Sequence, residues 1–361
     1  MLIALSLLLL WQMRRFEPGD PAVEAGRMTN VELPEAALLL QQAAEETPIP
    51  ALHLPAPQAA DRPGRILPSA APEPPRESAL EPEAEPTPAP TPEPAPDGEP
   101  PEPTPLPDGS EIRATTITGG LSVRNGTGYE LDVGAILDEG PSVRLPAEGP
   151  QILIIHTHAS EAYTPAGLDR YEASDVCRTE DARYSIIRVG DELCGIYEAA
   201  GLRVVHDQNI YDYPSYTGSY ARSGAAVEEW LAEYPGIAVV IDMHRDALGS
   251  DGVVYKIMAE ESGSVASQVM LLCGSDKSGL EHPNWRSNLA LALYLQDAAT
   301  QRYPSLMRPV ELVPQRYNQH LSPGALILEV GSSGNTLQEA LAAIRLFGEA
   351  TAPALLALGE A

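Results

Sequence analysis

Three short apolar runs, each leading to an ionisable side chain, constrain the fold of this chain most. They are 152–155 (ILII) before His156, 238–241 (AVVI) before His244, and 325–328 (ALIL) before Glu329. Continuous branched runs of this kind are typical of strands that are buried on both faces, as in a parallel sheet covered by helices. Because ligands bind beyond the carboxyl ends of such strands, the runs predict a site that contains two histidines and a glutamate.

Segments with helical spacing alternate with the strands. Helices are predicted at 184–200, 222–234, 288–302 and 336–347, and further strands at 202–205, 252–258 and 269–272. This alternation predicts an α/β fold with a mostly parallel sheet flanked by helices. Ahead of it, 115–118 and 121–125, with a turn at Asn125-Gly126, predict an antiparallel strand pair.

The first third of the chain has a different composition. Residues 1–13 open with MLIALSLLLL, and we expect them to be part of a transmembrane anchor whose start is missing. Residues 14–46 are expected to be a juxtamembrane segment, either with a short helix or disordered. Residues 47–110 are rich in Pro and Glu, which predicts a stiff disordered spacer. The catalytic domain is then expected at 111–361.

Charge and cysteine content argue against some functions. The chain has 51 acidic and 23 basic residues, a net charge of −28. Nucleic acid is therefore not an expected partner, because phosphate binding needs a basic surface. The cysteines Cys177, Cys194 and Cys273 are odd in number and match no zinc or disulfide spacing, so we expect buried free thiols.

His156 and His244 are the predicted metal ligands. Each follows a buried strand, and imidazoles with a carboxylate make the usual catalytic zinc site, in which water takes the fourth position. The sequence leaves two candidates for the acidic ligand: Asp181, near the opening of the first core helix, and Glu161, which closes the loop after His156. His158 is expected to support a ligand or contact the substrate.

Glu329 is the predicted general base. A carboxylate among apolar neighbours is costly unless it faces a cavity or a partner, and burial should raise its pKa toward neutrality, as a base for metal-bound water requires. Arg245 and Asp246, beside His244, are interpreted as support for a ligand, as a contact for a substrate carboxylate, or as a plain salt bridge. The remaining histidines are expected to be structural or solvated: His53, His206, His282 and His320.

Five motifs together resemble the stage II sporulation protein P family. They are HTHASEAY at 156–163, VGDEL at 189–193, DYPSYTGSY at 212–220, IDMHRDA at 241–247 and LEVGSSGNT at 328–336. This family is similar in turn to the zinc N-acetylmuramoyl-L-alanine amidases, whose fold is a mostly parallel α/β sheet. The resemblance implies His156 and His244 as zinc ligands, Asp181 or Glu161 as the acidic ligand, and Glu329 as the catalytic residue.

The resemblance also implies a function. It implies zinc-dependent hydrolysis of the amide between N-acetylmuramic acid and L-alanine in septal peptidoglycan during engulfment. It implies anchoring in the mother-cell membrane, with the catalytic domain outside the cytoplasm and facing the septal wall, and association with stage II sporulation proteins D and M. Two alternatives stay open: a zinc endopeptidase that acts on stem peptides, and a catalytically silent wall-binding scaffold.

Overall fold

A computed structural model describes residues 65–66, 111–166, 173, 177–250, 252–261 and 263–359. The predicted anchor and juxtamembrane segment lie outside the described residues, as does the predicted spacer apart from Arg65 and Ile66. Within the described ranges, no helix has both the length and the apolar character needed to cross a membrane.

The described elements alternate between strands and helices. The strands are β1 (Arg65–Ile66), β2 (Glu111–Thr115), β3 (Val123–Asn125), β4 (Ile152–Ile155), β5 (Val204–Asp207), β6 (Val239–Asp246), β7 (Gly249–Ser250), β8 (Val253–Glu261), β9 (Ser264–Ser267), β10 (Val269–Cys273), β11 (Val310–Leu312) and β12 (Ala325–Ser332). The helices are α1 (Val133–Glu139), α2 (Ile186–Ala199), α3 (Ser219–Glu233), α4 (Trp285–Arg302), a 3₁₀ helix (Gln319–Leu321) and α5 (Leu337–Leu356).

Eight strands form one sheet in the order β1-β5-β4-β6-β12-β10-β11-β3. The central strands β5, β4, β6 and β12 are parallel, and they contain all three apolar runs. Strand β10 runs antiparallel to β12, and β11 and β3 follow the direction of β10. A smaller sheet joins β2, β8 and β7, and β9 pairs with β8. The expected α/β fold is confirmed, with a mixed sheet in which parallel pairs predominate.

The predicted antiparallel pair near the start of the domain is wrong. Strand β2 pairs in parallel with β8 in the smaller sheet, whereas β3 pairs in parallel with β11 at the edge of the larger one. The turn signal at Asn125 instead closes a local loop, because its Oδ1 accepts hydrogen bonds from both the backbone N–H and the hydroxyl of Thr127. Each strand pairs with a strand far along the chain, which the local sequence pattern does not reveal.

Strand β4 alternates its side chains between two apolar cores. Ile152 and Ile154 pack on the side of α2, whereas Leu153 and Ile155 pack on the side of α3. The same alternation holds in β6, where Met243 lies in the α2 core while Val240 lies in the α3 core. A side chain's position along a strand therefore decides on which face of the sheet it can act.

Several elements extend beyond their predicted ends. Strand β6 runs past His244, so that this residue lies within the strand, and β12 continues past Val330 to Ser332. His206, which follows the strand predicted at 202–205, lies within β5. Helix α5 begins at a capping box formed by Thr336 and Glu339, which satisfies backbone N–H groups of its first turn, and continues well past the predicted end at 347.

Two of the three cysteines match the expectation of buried free thiols. Cys194 and Cys273 are buried, and burial raises the pKa of the Cys194 thiol to about 12. Cys177 differs, since it is partly exposed and adopts a positive φ of 51°.

Candidate metal and catalytic site

Four ionisable side chains converge on the α3 face of the sheet, near the carboxyl ends of β4 and β6. The rings of His158 and His244 have centroids 5.2 Å apart at 79°. Oε2 of Glu161 lies 3.5 Å from Nδ1 of His244. Glu329 on β12 is the cross-strand register partner of His244 on β6. The structure therefore brings together His158, Glu161, His244 and Glu329.

His158 presents one ring nitrogen to the cluster. Its Nε2 lies 3.0 Å from the hydroxyl of Tyr216, and the two rings stack with centroids 4.5 Å apart. Its Nδ1 is buried and has no hydrogen-bond partner among the described residues. Burial lowers the pKa of His158 to about 3, so the ring is neutral. With the proton on Nε2, the Nδ1 lone pair is available to a ligand.

His244 lies between two carboxylates. Glu161 approaches its Nδ1, and Oδ1 of Asp242 lies 3.0 Å from its Nε2, although that contact is not aligned as a hydrogen bond. Burial lowers the pKa of His244, but Asp242 and Glu161 outweigh burial and hold it well above its ordinary value. The surroundings of this ring therefore favour a positive charge, whether a proton or a metal ion.

Glu161 is a buried, ionised carboxylate, with 5% of its surface exposed. Its Oε2 accepts a hydrogen bond from the backbone N–H of Arg245 at 3.0 Å, and Oε1 lies 3.5 Å from Nη2 of Arg178. Burial opposes ionisation, but the Arg245 guanidinium and His244 hold the pKa of Glu161 well below its usual range. The carboxylate is thus held charged next to two imidazoles.

Glu329 has the opposite shift. Its Oε2 is buried and has no hydrogen-bond partner in the described part of the chain. Burial, together with the nearby charge of Asp246, raises the pKa of Glu329 to about 8, while His244 opposes the shift. Asp246 is held in turn by Arg308, with Nη1 to Oδ2 at 2.7 Å. A carboxyl group with this pKa can exchange a proton near neutral pH, as the sequence led us to expect.

The donor set fits a divalent metal. Two imidazoles and a carboxylate are the three protein ligands of an open zinc site, and the 3.5 Å between Glu161 Oε2 and His244 Nδ1 is close to the separation of about 3.3 Å between ligands in a tetrahedron with zinc bonds near 2.0 Å. The unpartnered Nδ1 of His158 completes the set. In the positions seen, no three His, Cys, Asp or Glu side chains of the described ranges already form a metal-holding group. The donors are present, and coordination would require them to close together.

The structure does not bring His156 to this cluster. Its Nδ1 lies 3.1 Å from the carbonyl oxygen of Met243, and its Nε2 lies 2.8 Å from Nε2 of His206. A Cβ on Gly190 of α2 would lie only 2.7 Å from Nε2 of His156. The position of His156 shares its parity with Ile154, so its ring lies on the α2 face, away from His158 and His244. Both of its ring nitrogens are already engaged.

Asp181 also lies away from the cluster. Its Oδ2 is paired with Nη2 of Arg183 at 2.6 Å, and its side chain is 28% exposed. This pairing lowers the pKa of Asp181. The helix that Asp181 was expected to open begins only at Ile186, where Ser185 caps it. Of the two acidic candidates, Glu161 is the one that reaches the histidines.

Arg245 points to the other face of β6 and supports a loop. Its Nε donates to the carbonyl of Ala162 at 2.8 Å, and its Nη2 donates to that of Cys177 at 3.0 Å. Asp246 pairs with Arg308 rather than with the side chain of Arg245. Of the interpretations left open for Arg245 and Asp246, a salt bridge between the two side chains is therefore not formed, because neighbouring strand residues point to opposite faces.

Sequence reasoning missed three supporting residues: Asp212, Tyr216 and Asp242. Asp212 accepts hydrogen bonds from the Ser160 backbone N–H (3.1 Å) and hydroxyl (2.6 Å), and from Nη1 of Arg178 (2.6 Å). It thereby ties the DYPSYTGSY segment to the loop that carries Glu161. All three residues lie in the motifs quoted above, but nothing in a single sequence says which loop each one supports.

Fold and site together define an α/β protein with a cluster of histidines and carboxylates at the strand ends. The family model described as Stage II sporulation protein P (SpoIIP) matches residues 93–352. The chain belongs to this family, which confirms the resemblance seen in the sequence. Stage II sporulation protein P of Bacillus subtilis (strain 168) is 28% identical over 199 residues, which cover 52% of this chain and 47% of the relative. The match thus spans about half the length of that relative.

Two solved structures are similar to this chain. N-acetylmuramoyl-L-alanine amidase AmiC2 of Nostoc punctiforme is 13% identical, with 58% of this chain and 98% of that chain covered and a TM-score of 0.34. The CwlD amidase from Clostridioides difficile, in complex with the GerS lipoprotein, is 11% identical, with 58% and 98% covered and a TM-score of 0.33. At these scores the similarity assigns no residue and no activity to the chain.

Proposed function

We propose that this chain is a zinc-dependent peptidoglycan hydrolase that cleaves the amide between N-acetylmuramic acid and L-alanine, in septal wall degradation during engulfment. The observation that supports this proposal most is the grouping of His158, Glu161 and His244 beside Glu329, which has the composition of an open hydrolytic zinc site. Membership of the stage II sporulation protein P family supports a role in sporulation.

In this proposal the metal ligands are His158, Glu161 and His244. The sequence prediction of His156 and Asp181 is replaced because those two side chains are engaged with His206 and Arg183. Bound between the three donors, zinc would supply a Lewis acid for the amide carbonyl and acidify water. Glu161 contributes a fixed negative charge, because Arg245 and Arg178 hold it ionised and in place.

Glu329 is the proposed proton carrier. Its unpartnered Oε2 takes a proton from the attacking water and later returns it to the L-alanine nitrogen as that amine leaves. In the metal-free chain, burial and Asp246 raise the pKa of Glu329 to about 8; a bound cation would lower this pKa toward neutrality, where the carboxyl group can both take and return a proton. The ion pair with Arg308 holds the Asp246 carboxylate, the negative charge near Glu329, in place.

The proposal includes a place of action and partners. By the resemblance to its family, the chain is anchored in the mother-cell membrane with its catalytic domain outside the cytoplasm, and it associates with stage II sporulation proteins D and M. Its substrate is the septal peptidoglycan. These statements concern residues and surfaces beyond the site and are independent of the ligand assignment.

The experiment is zinc analysis of the purified full chain, together with mass spectrometry of products released from purified peptidoglycan. We expect about one zinc per chain and free stem peptides that begin with an L-alanine amine. Peptides cut internally, with their first residue still on the glycan, would favour the endopeptidase; zinc without products would favour the scaffold. Glu329→Gln should keep the zinc and lose cleavage, and a fully active variant would contradict the assignment of the base.

A further inference from the structure

A chain of buried hydrogen bonds runs behind His244. Oδ2 of Asp242 accepts from the hydroxyl of Thr157 at 2.6 Å, and Oδ1 accepts from the Thr157 backbone N–H at 2.8 Å. The Thr157 and Ser223 hydroxyls lie 2.6 Å apart, and Nδ2 of Asn318 donates to Ser223 at 3.1 Å. These hydrogen bonds thus join four elements: the loop after β4, strand β6, helix α3 and the loop before the 3₁₀ helix.

In this series of hydrogen bonds, each group donates in the direction of Asp242. Since the Thr157 hydroxyl donates its proton to the carboxylate, the 2.6 Å contact between Thr157 and Ser223 requires Ser223 to donate, in preference to its longer 3.3 Å contact with the carbonyl of Tyr220. Ser223 accepts in turn from Asn318. Thr157 and Ser223 are fully buried, at 0% exposed. Hydrogen bonds aligned in one direction in a buried site strengthen one another and hold the acceptor carboxylate in one position.

His244 is the ring that this carboxylate faces. Its Nε2 lies 3.0 Å from Oδ1 of Asp242, although the contact is not aligned as a hydrogen bond in the metal-free chain. When a metal ion takes the place of the proton on Nδ1, a proton fixed on Nε2 leaves the Nδ1 lone pair for the metal, on the side of the ring that faces Glu161 at 3.5 Å. His158 has a different support, because its Nε2 meets the neutral hydroxyl of Tyr216.

We propose that Asp242 is the positioning residue of His244: it fixes the proton on Nε2 and turns Nδ1 toward the metal, while Thr157, Ser223 and Asn318 hold the carboxylate in place. This inference rests on the proposed function, since it concerns how a ligand of that site is prepared. A carboxylate behind a histidine ligand makes the ligand more basic, and its removal costs about 10 to 100-fold in metal affinity.

The test measures the zinc dissociation constant of the full chain by competition with a chromophoric chelator, at a temperature well below the thermal midpoint of every variant. We expect Asp242→Ala to weaken zinc binding by about 10 to 100-fold, and Asp242→Asn to weaken it less, because the amide keeps the shape but not the charge. Cobalt(II) added in place of zinc gives a second readout, because its visible spectrum reports a change in histidine coordination.

A matched control is Asp207→Asn. Asp207 is likewise a buried carboxylate, in β5 of the same sheet, and it accepts hydrogen bonds from Asn209 and Trp230. We expect this variant to lower the thermal midpoint while its zinc affinity stays that of the wild type. Ser223→Ala removes a hydroxyl from the series of hydrogen bonds but does not alter a contact of His244. It should weaken zinc binding only a few-fold.

Failure of the positioning role and failure of the proposed zinc hydrolase function give different results. Wild-type zinc affinity in both Asp242 variants would overturn the positioning role even if the wild type binds zinc and cleaves peptidoglycan. A loss of affinity in Asp207→Asn equal to that in Asp242→Asn would also overturn it, because the effect would then be one of stability. A wild type that binds no zinc would instead overturn the proposed function, and the metal role of Asp242 with it. If Asp242→Ala does not fold, Asp242→Asn decides.

Discussion

His156 and His158 are two residues apart, both are buried, and they lie in opposite environments. Both ring nitrogens of His156 are engaged, by the Met243 carbonyl and by His206, on the α2 face of the sheet. His158 lies on the α3 face, with Nε2 at Tyr216 and Nδ1 without a partner in the described residues. A buried ring whose nitrogens are all satisfied serves the fold, whereas one with an unused lone pair beside a carboxylate is prepared for a ligand.

The contrast extends to the surroundings of the two rings. Around His156 the fold is closed, since Gly190 of α2 leaves no space for even a Cβ beside the two histidines. Around His158, polar groups lack a hydrogen-bond partner among the residues that the structure describes, and Oε2 of Glu329 is one of them. Unsatisfied buried groups cost free energy, about 1–3 kcal/mol each. The fold therefore gives up stability on the α3 face of the sheet, which is where we expect function to require it.

The largest expected effect comes from replacing the two histidines separately. His158→Ala removes one of three proposed zinc ligands, so we expect zinc affinity to fall by more than about 100-fold with little change in the thermal midpoint of the metal-free chain. His156→Ala should do the reverse, because it leaves His206 without its buried partner but removes no ligand. Zinc competition and thermal melts of the metal-free chain measure both quantities.

The double comparison has one outcome that would break it. If His156→Ala lost zinc while His158→Ala kept it, the assignment drawn from the sequence would hold and the grouping on the α3 face would not be the metal site. Loss of zinc in both variants, with a normal thermal midpoint for His158→Ala, would mean that the His156 pocket positions the loop that carries the ligands.

The sequence predicted the central strands and named all four site residues, although it preferred His156 to His158 as a ligand and left Glu161 open beside Asp181; the reasons are physical. Buried parallel strands need continuous apolar runs, so His244 and Glu329 were marked by the runs that precede them. The sequence pattern could not decide between His156 and His158 as the ligand, because both follow the same apolar run. It depends on Gly190, a position more than thirty residues later in the sequence, where the absence of a side chain admits the ring of His156 to the α2 face.

The same limit explains the other misses. Asp181 was chosen by its spacing to a helix, but Arg183, two residues away, takes its carboxylate. The partners of β2 and β3 lie more than a hundred residues along the chain, so no local signal names them. Asp242 sits in the quoted motif beside His244, yet its role depends on Thr157 and Ser223 meeting it from two other elements.

A second, smaller effect tests the closed side directly. In Gly190→Ala the new Cβ would lie 2.6 Å from Nε2 of His206 and 2.7 Å from Nε2 of His156. Overpacking of this kind costs about 1–3 kcal/mol, which exceeds the gain of up to about 1 kcal/mol from replacing a helical glycine by alanine. We expect a lower free energy of unfolding in chemical denaturation and an unchanged zinc affinity.

The same helix offers a matched control. A Cβ at Gly195 of α2 would meet nothing within 4 Å, so Gly195→Ala should stabilise the chain by up to about 1 kcal/mol. Equal stabilisation by both substitutions would show that the two histidines are not packed against α2. A loss of zinc affinity in Gly190→Ala, at a temperature where the variant is folded, would show that the two faces of the sheet are coupled.

The smallest expected effect is a pH dependence that separates the two sides of the sheet. In the metal-free chain, burial and Asp246 raise the pKa of Glu329 to about 8. A carboxyl group whose pKa is raised by folding contributes stability below its unfolded pKa and loses it as pH rises through the folded value. The stability of Glu329→Gln relative to the wild type should therefore rise between pH 5 and pH 9, by about 2 kcal/mol once partial exposure is allowed for.

His156 behaves oppositely, because burial and His206 lower its pKa to about 3. Its cost in stability therefore appears only as the pH falls below the ordinary pKa of histidine. Thermal melts of both proteins from pH 5 to pH 9 measure the difference, and the zinc-loaded proteins are the control, since a metal charge beside Glu329 should shrink it. A difference that does not change with pH would mean that the Glu329 carboxylate is well solvated, and the contrast between a satisfied face and an unsatisfied one would not extend to this residue.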